Sequence, residues 1–304
     1  MVLSTSSQPD FLLYALAASD TVRCVTAVTT NLVQEACNRH LTWKTASVAL
    51  GRALTGGALI ASQLKELERL TLQFQGRGPL GSITVDADAH GRVRGFIQNP
   101  QTDMPLREDG KFDVGGAVGK GVLHVMRDAG FEIGFMKDPY RGSVPLVTGE
   151  IAEDLTFYLT NSEQIPSAMG LGVYMDRGSG HVRAAGGFLV QVLPGTSDEM
   201  ISHLEQAILE APPSTELVSA GATPEDIMKV VLGGIDYRIL AEKPLKFECT
   251  CSYERALSII SALGDVEVRD MLEKDGQAEM TCHYCNAMYH LDAETLARIL
   301  SGEI

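Results

Sequence analysis

The stretches Cys249-Thr-Cys251 and Cys282-His-Tyr-Cys285 hold four of the chain's six cysteines, with residues 252–281 between them. Two close cysteine pairs that a folded spacer brings together can place four sulfurs at the corners of a tetrahedron, the geometry of structural zinc sites. Side chains two residues apart point the same way on an extended strand, so the C-x-C can bind a metal without a turn. We therefore predict one Zn²⁺ per chain, bound by all four of these cysteines: Cys249, Cys251, Cys282 and Cys285.

Disulfide bonds and a thioredoxin-like redox motif are the other common uses of closely spaced cysteines. Stable disulfides are typical of secreted proteins, but the first ten residues contain neither an arginine nor the apolar stretch of a signal peptide. A thioredoxin-like motif has a single C-x-x-C at the start of a helix. The C-x-C also departs from the ordinary zinc ribbon, and a disulfide between residues two apart closes a small, strained and labile ring. The pattern thus indicates a metal site that oxidation can dismantle.

The residues around both cysteine pairs resemble those of one known family. The stretches Phe247-Glu-Cys-Thr-Cys-Ser-Tyr-Glu-Arg255 and Asp275-Gly-Gln-Ala-Glu-Met-Thr-Cys-His-Tyr-Cys285 closely resemble the zinc domain of the heat shock protein 33 family, the redox-regulated 33 kDa chaperones. Four further segments resemble the same family: Gly78-Pro-Leu-Gly-Ser-Ile-Thr-Val-Asp-Ala87, Val93-Arg-Gly-Phe-Ile-Gln-Asn-Pro100, Tyr158-Leu-Thr-Asn-Ser-Glu-Gln-Ile-Pro-Ser167 and Ala184-Ala-Gly-Gly-Phe-Leu-Val-Gln-Val-Leu-Pro-Gly195. The resemblance runs from about Asp10 to the C-terminal helix, which is most of the chain.

The N-terminal two thirds of the chain predict an α+β fold. Apolar and polar residues alternate between 70 and 100, which predicts antiparallel strands. A helix is expected over Asn31–His40, with Thr30 as its N-cap. A second helix is expected over residues 45–65, and its content of alanine and glycine indicates close helix packing. Residues 1–210 should therefore form an α+β core with antiparallel sheets and helices.

A helical linker is expected over residues 211–246, because Pro212-Pro213 marks a break and Thr223-Pro224 opens a new helix. The linker has apolar surface but little core of its own, so it must pack on a neighbour, and we expect its helix to lie on the core's sheet. Its apolar side chains are candidates for client binding: Ile227, Met228, Val230, Val231 and Leu232. The small zinc-binding, redox-switch domain should occupy residues 247–304.

The family resemblance implies a chaperone of the ATP-independent holdase type, without enzymatic activity. In that reading the reduced, zinc-bound protein is inactive. Oxidation of the pairs Cys249–Cys251 and Cys282–Cys285 releases the metal, unfolds the linker and lets the protein bind unfolding clients as a homodimer. Structural zinc contributes roughly 10–16 kcal/mol of binding free energy, so in a domain this small the metal supplies most of the folding free energy.

A constitutive zinc-ribbon module that binds a protein or a nucleic acid is the alternative function. The net charge of −14 and the lack of a basic cluster near the cysteines disfavour nucleic acid. No apolar run reaches the ~18 residues that span a bilayer, so we expect no membrane association. Gly115–Gly121 lacks the residues of a phosphate-binding P-loop. We expect a cytoplasmic protein, or one of the plastid stroma.

The remaining cysteines and two nearby histidines are expected to have no role in the switch. Cys24 and Cys37 lie singly within regular elements, where a buried cysteine behaves as a small apolar side chain. His283 and His290 flank the second cysteine pair, but four thiolates already fill a tetrahedral zinc shell.

Overall fold

A computed structural model describes residues 9–128, 139–176 and 178–303. The chain divides into two compact units, and the boundary between them in sequence lies between Glu248 and Cys249. Helices and antiparallel sheets confirm the predicted α+β class. The larger unit includes residues 211–246, which the sequence had set apart as a linker.

The larger unit has runs of strands and runs of helices in turn along the chain. Its strands are β1 (Phe11–Ala17), β2 (Val22–Val28), β3 (Arg69–Gly76), β4 (Ser82–Asp88), β5 (Arg92–Ile97), β6 (Gly121–Asp128), β7 (Tyr140–Pro145), β8 (Ser167–Met175), β9 (Val182–Val192), β10 (Tyr237–Pro244) and β11 (Lys246–Phe247). Its helices are α1 (Thr30–His40), α2 (Lys44–Ala61), α3 (Val114–Val118), α4 (Ala152–Asn161), α5 (Asp198–Glu210), α6 (Ser214–Ser219) and α7 (Pro224–Leu232). Within the described residues, no helix combines the length and apolar character needed to cross a bilayer.

Two sheets build the core of the larger unit. One has the strand order β10-β1-β2-β9-β8 and the other β11-β5-β4-β3-β6-β7. The pairs are antiparallel except for the short parallel pair β11–β5. This arrangement places β10, from the predicted linker, at an edge of the first sheet.

Helix α2 is buried along nearly its whole length because its glycines let neighbours approach closely. A Cβ added at Gly56 would lie 2.4 Å from Leu155 Cδ1 of α4, and one at Gly57 would lie 2.8 Å from Val85 Cγ1 of β4. These distances are shorter than real Cβ contacts, so a larger residue at either position would have to displace the neighbouring side chain. The prediction that glycine serves close helix packing here is confirmed.

Helix α1 begins differently from the prediction that made Thr30 its N-cap. The N-cap is Thr29, whose side chain makes no cap hydrogen bond. The carboxylate of Asp10 accepts hydrogen bonds from the backbone N–H groups of Asn31, at 3.1 Å, and Leu32, at 2.7 Å. Burial raises the pKa of Asp10 to about 6, against the opposing effect of these hydrogen bonds.

Residues 211–246 contain the predicted helix and an unpredicted strand. Helix α7 begins with a capping box between Thr223 and Asp226 and ends at Gly233, whose φ of 58° suits glycine. Its buried side chains share one apolar cluster with strands β1, β2 and β9. The second part of the segment is β10, which pairs with β1, so the segment is only partly helical.

The smaller unit consists of α8 (Tyr253–Ser261), α9 (Asp265–Lys274), β12 (Gln277–Thr281), β13 (Met288–Asp292) and α10 (Ala293–Leu300). β12 and β13 form an antiparallel hairpin. Its apolar cluster has few buried members: Ile260, Val268, Ala278, Leu291 and Leu296. A core this small supplies little stability by itself, which is the situation in which small domains use a metal or disulfides.

Candidate metal centre

The four clustered cysteines come from two segments of the smaller unit. Cys249 and Cys251 lie in the irregular segment before α8. Ser252 then caps this helix, its hydroxyl accepting a 3.2 Å hydrogen bond from Arg255 N. The N-cap therefore follows Cys251 directly and the helix starts at Tyr253, two residues after this cysteine.

The second pair lies in the tight turn between β12 and β13. Cys282 N donates to Ala287 O at 2.9 Å, and Asn286 N donates to Cys282 O at 2.7 Å. Asn286 has a φ of 58°, a left-handed conformation that asparagine tolerates better than most residues. The hairpin strands join the two ends of this turn, so the Cys282 and Cys285 sulfurs lie on a short, hydrogen-bonded loop.

The four sulfurs converge as the spacing predicts. They all lie within 4.8 Å of one another. The Sγ atoms of Cys249 and Cys282 are 3.7 Å apart, and those of Cys251 and Cys285 are 3.3 Å apart. Zn–S bonds of about 2.3 Å place tetrahedral sulfurs about 3.8 Å from each other, so this donor set fits Zn²⁺. None of the six cysteines forms a disulfide.

The surroundings of Cys282 and Cys285 favour the neutral thiol. Burial raises the pKa of the Cys282 thiol and of the Cys285 thiol. A metal ion supplies the positive charge that stabilises the thiolates, and its binding displaces the protons. The Cys282 and Cys285 thiols therefore keep their protons unless a bound cation stabilises the thiolates.

Tyr289 is a neighbour of the centre that the sequence analysis did not identify. A hydrogen bond with the Cys251 side chain is the main cause that raises the pKa of Tyr289, so its hydroxyl stays protonated and can donate to the sulfur. Its position on β13, four residues after Cys285, is the only sequence signal for it. Hydrogen bonds to metal-bound sulfurs orient the ligands.

The two nearby histidines are not members of the sulfur cluster. The cluster consists of the four cysteines. His290 Nδ1 lies 3.6 Å from Glu279 Oε1, its register partner across the hairpin.

Residues 249–304 carry ten acidic and only four basic side chains, which is unfavourable for contact with phosphate backbones.

The candidate linker residues lie in the larger unit, away from the cysteines in sequence. Ile227, Met228, Val231 and Leu232 are buried in the cluster on the five-stranded sheet. Val230 differs: it is half-buried and lines a cleft with His203 and other residues of α5. The five apolar residues therefore do not form one uniform face.

Cys24 and Cys37 lie apart from the sulfur cluster, each in a different element. Both are buried, on β2 and α1 respectively. Burial raises the pKa of both thiols. A buried, protonated thiol is a poor nucleophile, in keeping with the expected structural role.

Comparison with known proteins identifies the family. The family described as Hsp33 protein matches residues 10–292. A 33 kDa chaperonin of Geobacter sulfurreducens is 47% identical over 291 residues, covering 95% of this chain and 94% of the relative. One of Staphylococcus aureus is 45% identical over 256 residues, covering 84% of this chain and 85% of the relative.

A solved structure supports the same conclusion. The crystal structure of the 33 kDa chaperonin (Hsp33) of Thermotoga maritima superposes with a TM-score of 0.89 at 37% sequence identity, covering 97% of this chain and 99% of the other. The match in sequence extends over nearly the whole chain, and the match in fold includes both units. The resemblance first seen around the cysteine pairs is confirmed, and this chain belongs to the Hsp33 family.

Proposed function

We propose that this protein is an ATP-independent holdase chaperone that oxidation switches on. Membership of the Hsp33 family supports a chaperone role. The observation that carries the regulatory part is the convergence of four cysteine sulfurs within 4.8 Å in a unit with a small core. In the reduced state the four cysteines hold one Zn²⁺ and the chaperone is inactive.

Zinc binding is coupled to folding of the smaller unit. The ligands come from two segments separated by residues 252–281, so the metal joins the start of the unit to its hairpin. Structural zinc contributes roughly 10–16 kcal/mol in such small units. Loss of the metal removes most of the free energy that holds α8, α9 and the hairpin together.

Oxidation removes the ligands in two steps, each of which converts one cysteine pair into a disulfide. Within each pair, two thiolates give up two electrons and form a disulfide, while one molecule of hydrogen peroxide takes the electrons and two protons and leaves as two water molecules. The first step joins Cys249 to Cys251 and the second joins Cys282 to Cys285. A disulfide sulfur is a poor zinc ligand, so the ion leaves and the smaller unit unfolds.

The segment 211–246 responds because its own stability is small. Burial of each apolar side chain of α7 stabilises it by roughly 1.5–3 kcal/mol. Ordering the backbone costs roughly 1–2 kcal/mol per residue, which is comparable. The segment is joined to Cys249 through Leu245–Glu248, which includes the two-residue strand β11 paired with β5. After metal loss, the C-terminal end of the segment therefore depends on this short attachment to the core.

Release of this segment uncovers the surface that binds clients. The apolar side chains of α7 and the sheet residues beneath it become accessible together, and unfolded chains bind there without turnover of ATP. The oxidised protein forms a homodimer in this state. We place it in the cytoplasm, with the plastid stroma as the alternative.

The test measures aggregation of a thermally unfolding protein, followed by light scattering, with this chain reduced and then treated with hydrogen peroxide. We expect suppression of scattering only after oxidation, together with release of one zinc per chain. A variant with Cys24 and Cys37 replaced by serine should respond in the same way. Equal suppression by the reduced and oxidised forms would contradict the switch and favour a constitutive zinc-binding module.

A further inference from the structure

Strand β10 occupies the edge of strand β1. All seven residues of β1 have a partner on β10, from Phe11 opposite Pro244 to Ala17 opposite Tyr237. The register shifts once, between Tyr14 and Ala15. β1 therefore makes its backbone hydrogen bonds with β2 on one side and with the segment 211–246 on the other.

β10 itself is held mainly through its backbone. None of its side chains is fully buried, and Ile239 and Leu240 are each 43% exposed. Its polar side-chain contacts include an exposed ion pair between Arg238 and Asp20 and hydrogen bonds from Lys243 Nζ to the carbonyl oxygens of Ser62 and Ala89. The Tyr237 hydroxyl also donates a 3.4 Å hydrogen bond to Glu225 of α7. An exposed ion pair contributes about 0–1 kcal/mol, and the Tyr237–Glu225 bond lies within the segment 211–246. The polar contacts that chiefly oppose the departure of this strand are therefore the two hydrogen bonds of Lys243.

β1 is the opposite kind of strand. Its sequence, Phe-Leu-Leu-Tyr-Ala-Leu-Ala, is apolar throughout apart from the Tyr14 hydroxyl. Leu13, Ala15 and Ala17 belong to the cluster that α7 covers, whereas Leu12 belongs to the main core. Residues 211–246 therefore cover β1 twice: α7 lies over one face and β10 fills the edge.

We propose that the β1 edge is a binding site for an extended apolar segment of an unfolding protein, which adds to the sheet as a strand in place of β10. The proposal rests on the proposed function, because it needs the segment 211–246 to leave. An incoming strand pairs its backbone N–H and C=O groups with those of β1, and every second side chain fills the face that α7 vacates.

This mode of binding selects by chain state more than by sequence. Every unfolded segment offers the backbone groups, whereas a folded protein has already paired them. The partner needs several apolar residues and no proline at the pairing positions. β10 is a weaker version of such a partner, because three of its residues (Arg238, Glu242 and Lys243) are charged and Pro244 has no N–H to donate, so a more apolar client can replace it.

Hydrogen exchange measured on the intact chain tests the proposal. The probe client is reduced, carboxymethylated α-lactalbumin, which remains unfolded. We expect the β1 amides to be protected in the reduced protein, to exchange about tenfold faster or more after peroxide treatment, and to regain protection when the client is added. The β8 amides, at the opposite edge of the same sheet, are the internal control and should not respond to the client.

A synthetic copy of β10 provides the matched competition experiment. The peptide Tyr237–Pro244, added in excess, should displace the client from the oxidised protein, whereas the same peptide N-methylated on its pairing amides should not. Equal competition by both peptides would overturn strand addition, because it would show binding without the backbone ladder.

The outcomes separate this proposal from the proposed function. Failure of the oxidised protein to retain the client contradicts both. Client retention with β1 amides that stay protected after oxidation, or stay exchangeable in the complex, overturns only strand addition. Protection of the β1 amides in the oxidised protein without client, together with a doubled mass in sedimentation, would mean that a second copy of the chain occupies the edge of β1. That result would likewise overturn client addition.

Discussion

Thr26 Oγ1 donates a 2.7 Å hydrogen bond to the carbonyl oxygen of Pro224, and both groups are buried. The bond joins β2 of the core sheet to the first turn of α7. We predict that Thr26→Val, which keeps the side-chain volume, leaves this carbonyl without its partner and destabilises the docked helix by about 1–3 kcal/mol. Limited proteolysis of the reduced protein should cut faster within residues 211–246. Thr26→Ser keeps the hydroxyl and should resist cleavage like the parent.

Val231 and Val230 make a matched pair for testing whether α7 gates activity. Val231 is 0% exposed in the cluster on the sheet, whereas Val230 is half-buried beside the cleft. Val231→Asp buries a charge without a partner and should loosen the segment while zinc stays bound, giving partial client protection under reducing conditions. Val230→Asp should have a much smaller effect. Reduced Val231→Asp protein that is inactive and protease-resistant would mean that α7 is not the gate.

Cys282→Ser tests the metal assignment. A serine hydroxyl is a poor zinc ligand at neutral pH, and the substitution leaves only three thiols in the cluster. Metal analysis should give well below one zinc per chain, with increased proteolysis of residues 249–304. Cys24→Ser is the control and should keep one zinc. Full zinc content in Cys282→Ser would remove that cysteine from the ligand set.

Tyr289→Phe removes the hydroxyl that bonds the Cys251 sulfur while keeping the ring. Loss of a hydrogen bond to a metal ligand weakens metal affinity by about 10–100-fold, so we expect faster transfer of zinc to a competing chelator. The stoichiometry should stay at one zinc per chain because the four sulfurs remain. Tyr253→Phe, on the exposed part of α8, is the matched control. Equal transfer from both variants would show that the hydroxyl has no influence on the metal.

Asp10 makes stability depend on pH. Its pKa is about 6 in the folded protein against an ordinary value of 3.8, so the folded state binds the proton more tightly between these values. The stabilisation is fully present below pH 3.8 and is lost as pH rises through 6, a change of about 3 kcal/mol in the free energy of unfolding. Asp10→Asn should flatten this part of the profile. Urea unfolding of both proteins between pH 4 and pH 7 measures the difference, and parallel profiles would contradict the effect.

Local patterns predicted those features whose causes are local. The two cysteine pairs predicted the sulfur cluster, and the run of alanine and glycine predicted the close packing of α2. The predicted N-cap of α1, Thr30, was wrong because the carboxylate of Asp10, some twenty residues earlier, accepts the hydrogen bonds of the first helical N–H groups. No neighbouring residue records that contact.

The strand β10 escaped prediction for a related reason. One face of this strand is exposed and the other only partly buried, and its sequence does not alternate regularly between apolar and polar residues, so it lacks the pattern that marks a half-buried strand. What makes them a strand is the free edge of β1, more than 200 residues earlier. Similarly, the helical period grouped Val230 with its buried neighbours, whereas the width of the sheet contact decides which of them is covered.

The distance in sequence between β1 and β10 has a consequence for synthesis. Phe11 emerges from the ribosome well before its register partner Pro244. At about 5–20 residues per second, roughly 10–50 s pass between the two events. During that interval every nascent chain carries an apolar strand with one unsatisfied edge. Each molecule therefore has an unpaired β1 edge once during synthesis, before any cysteine of the metal centre has been translated.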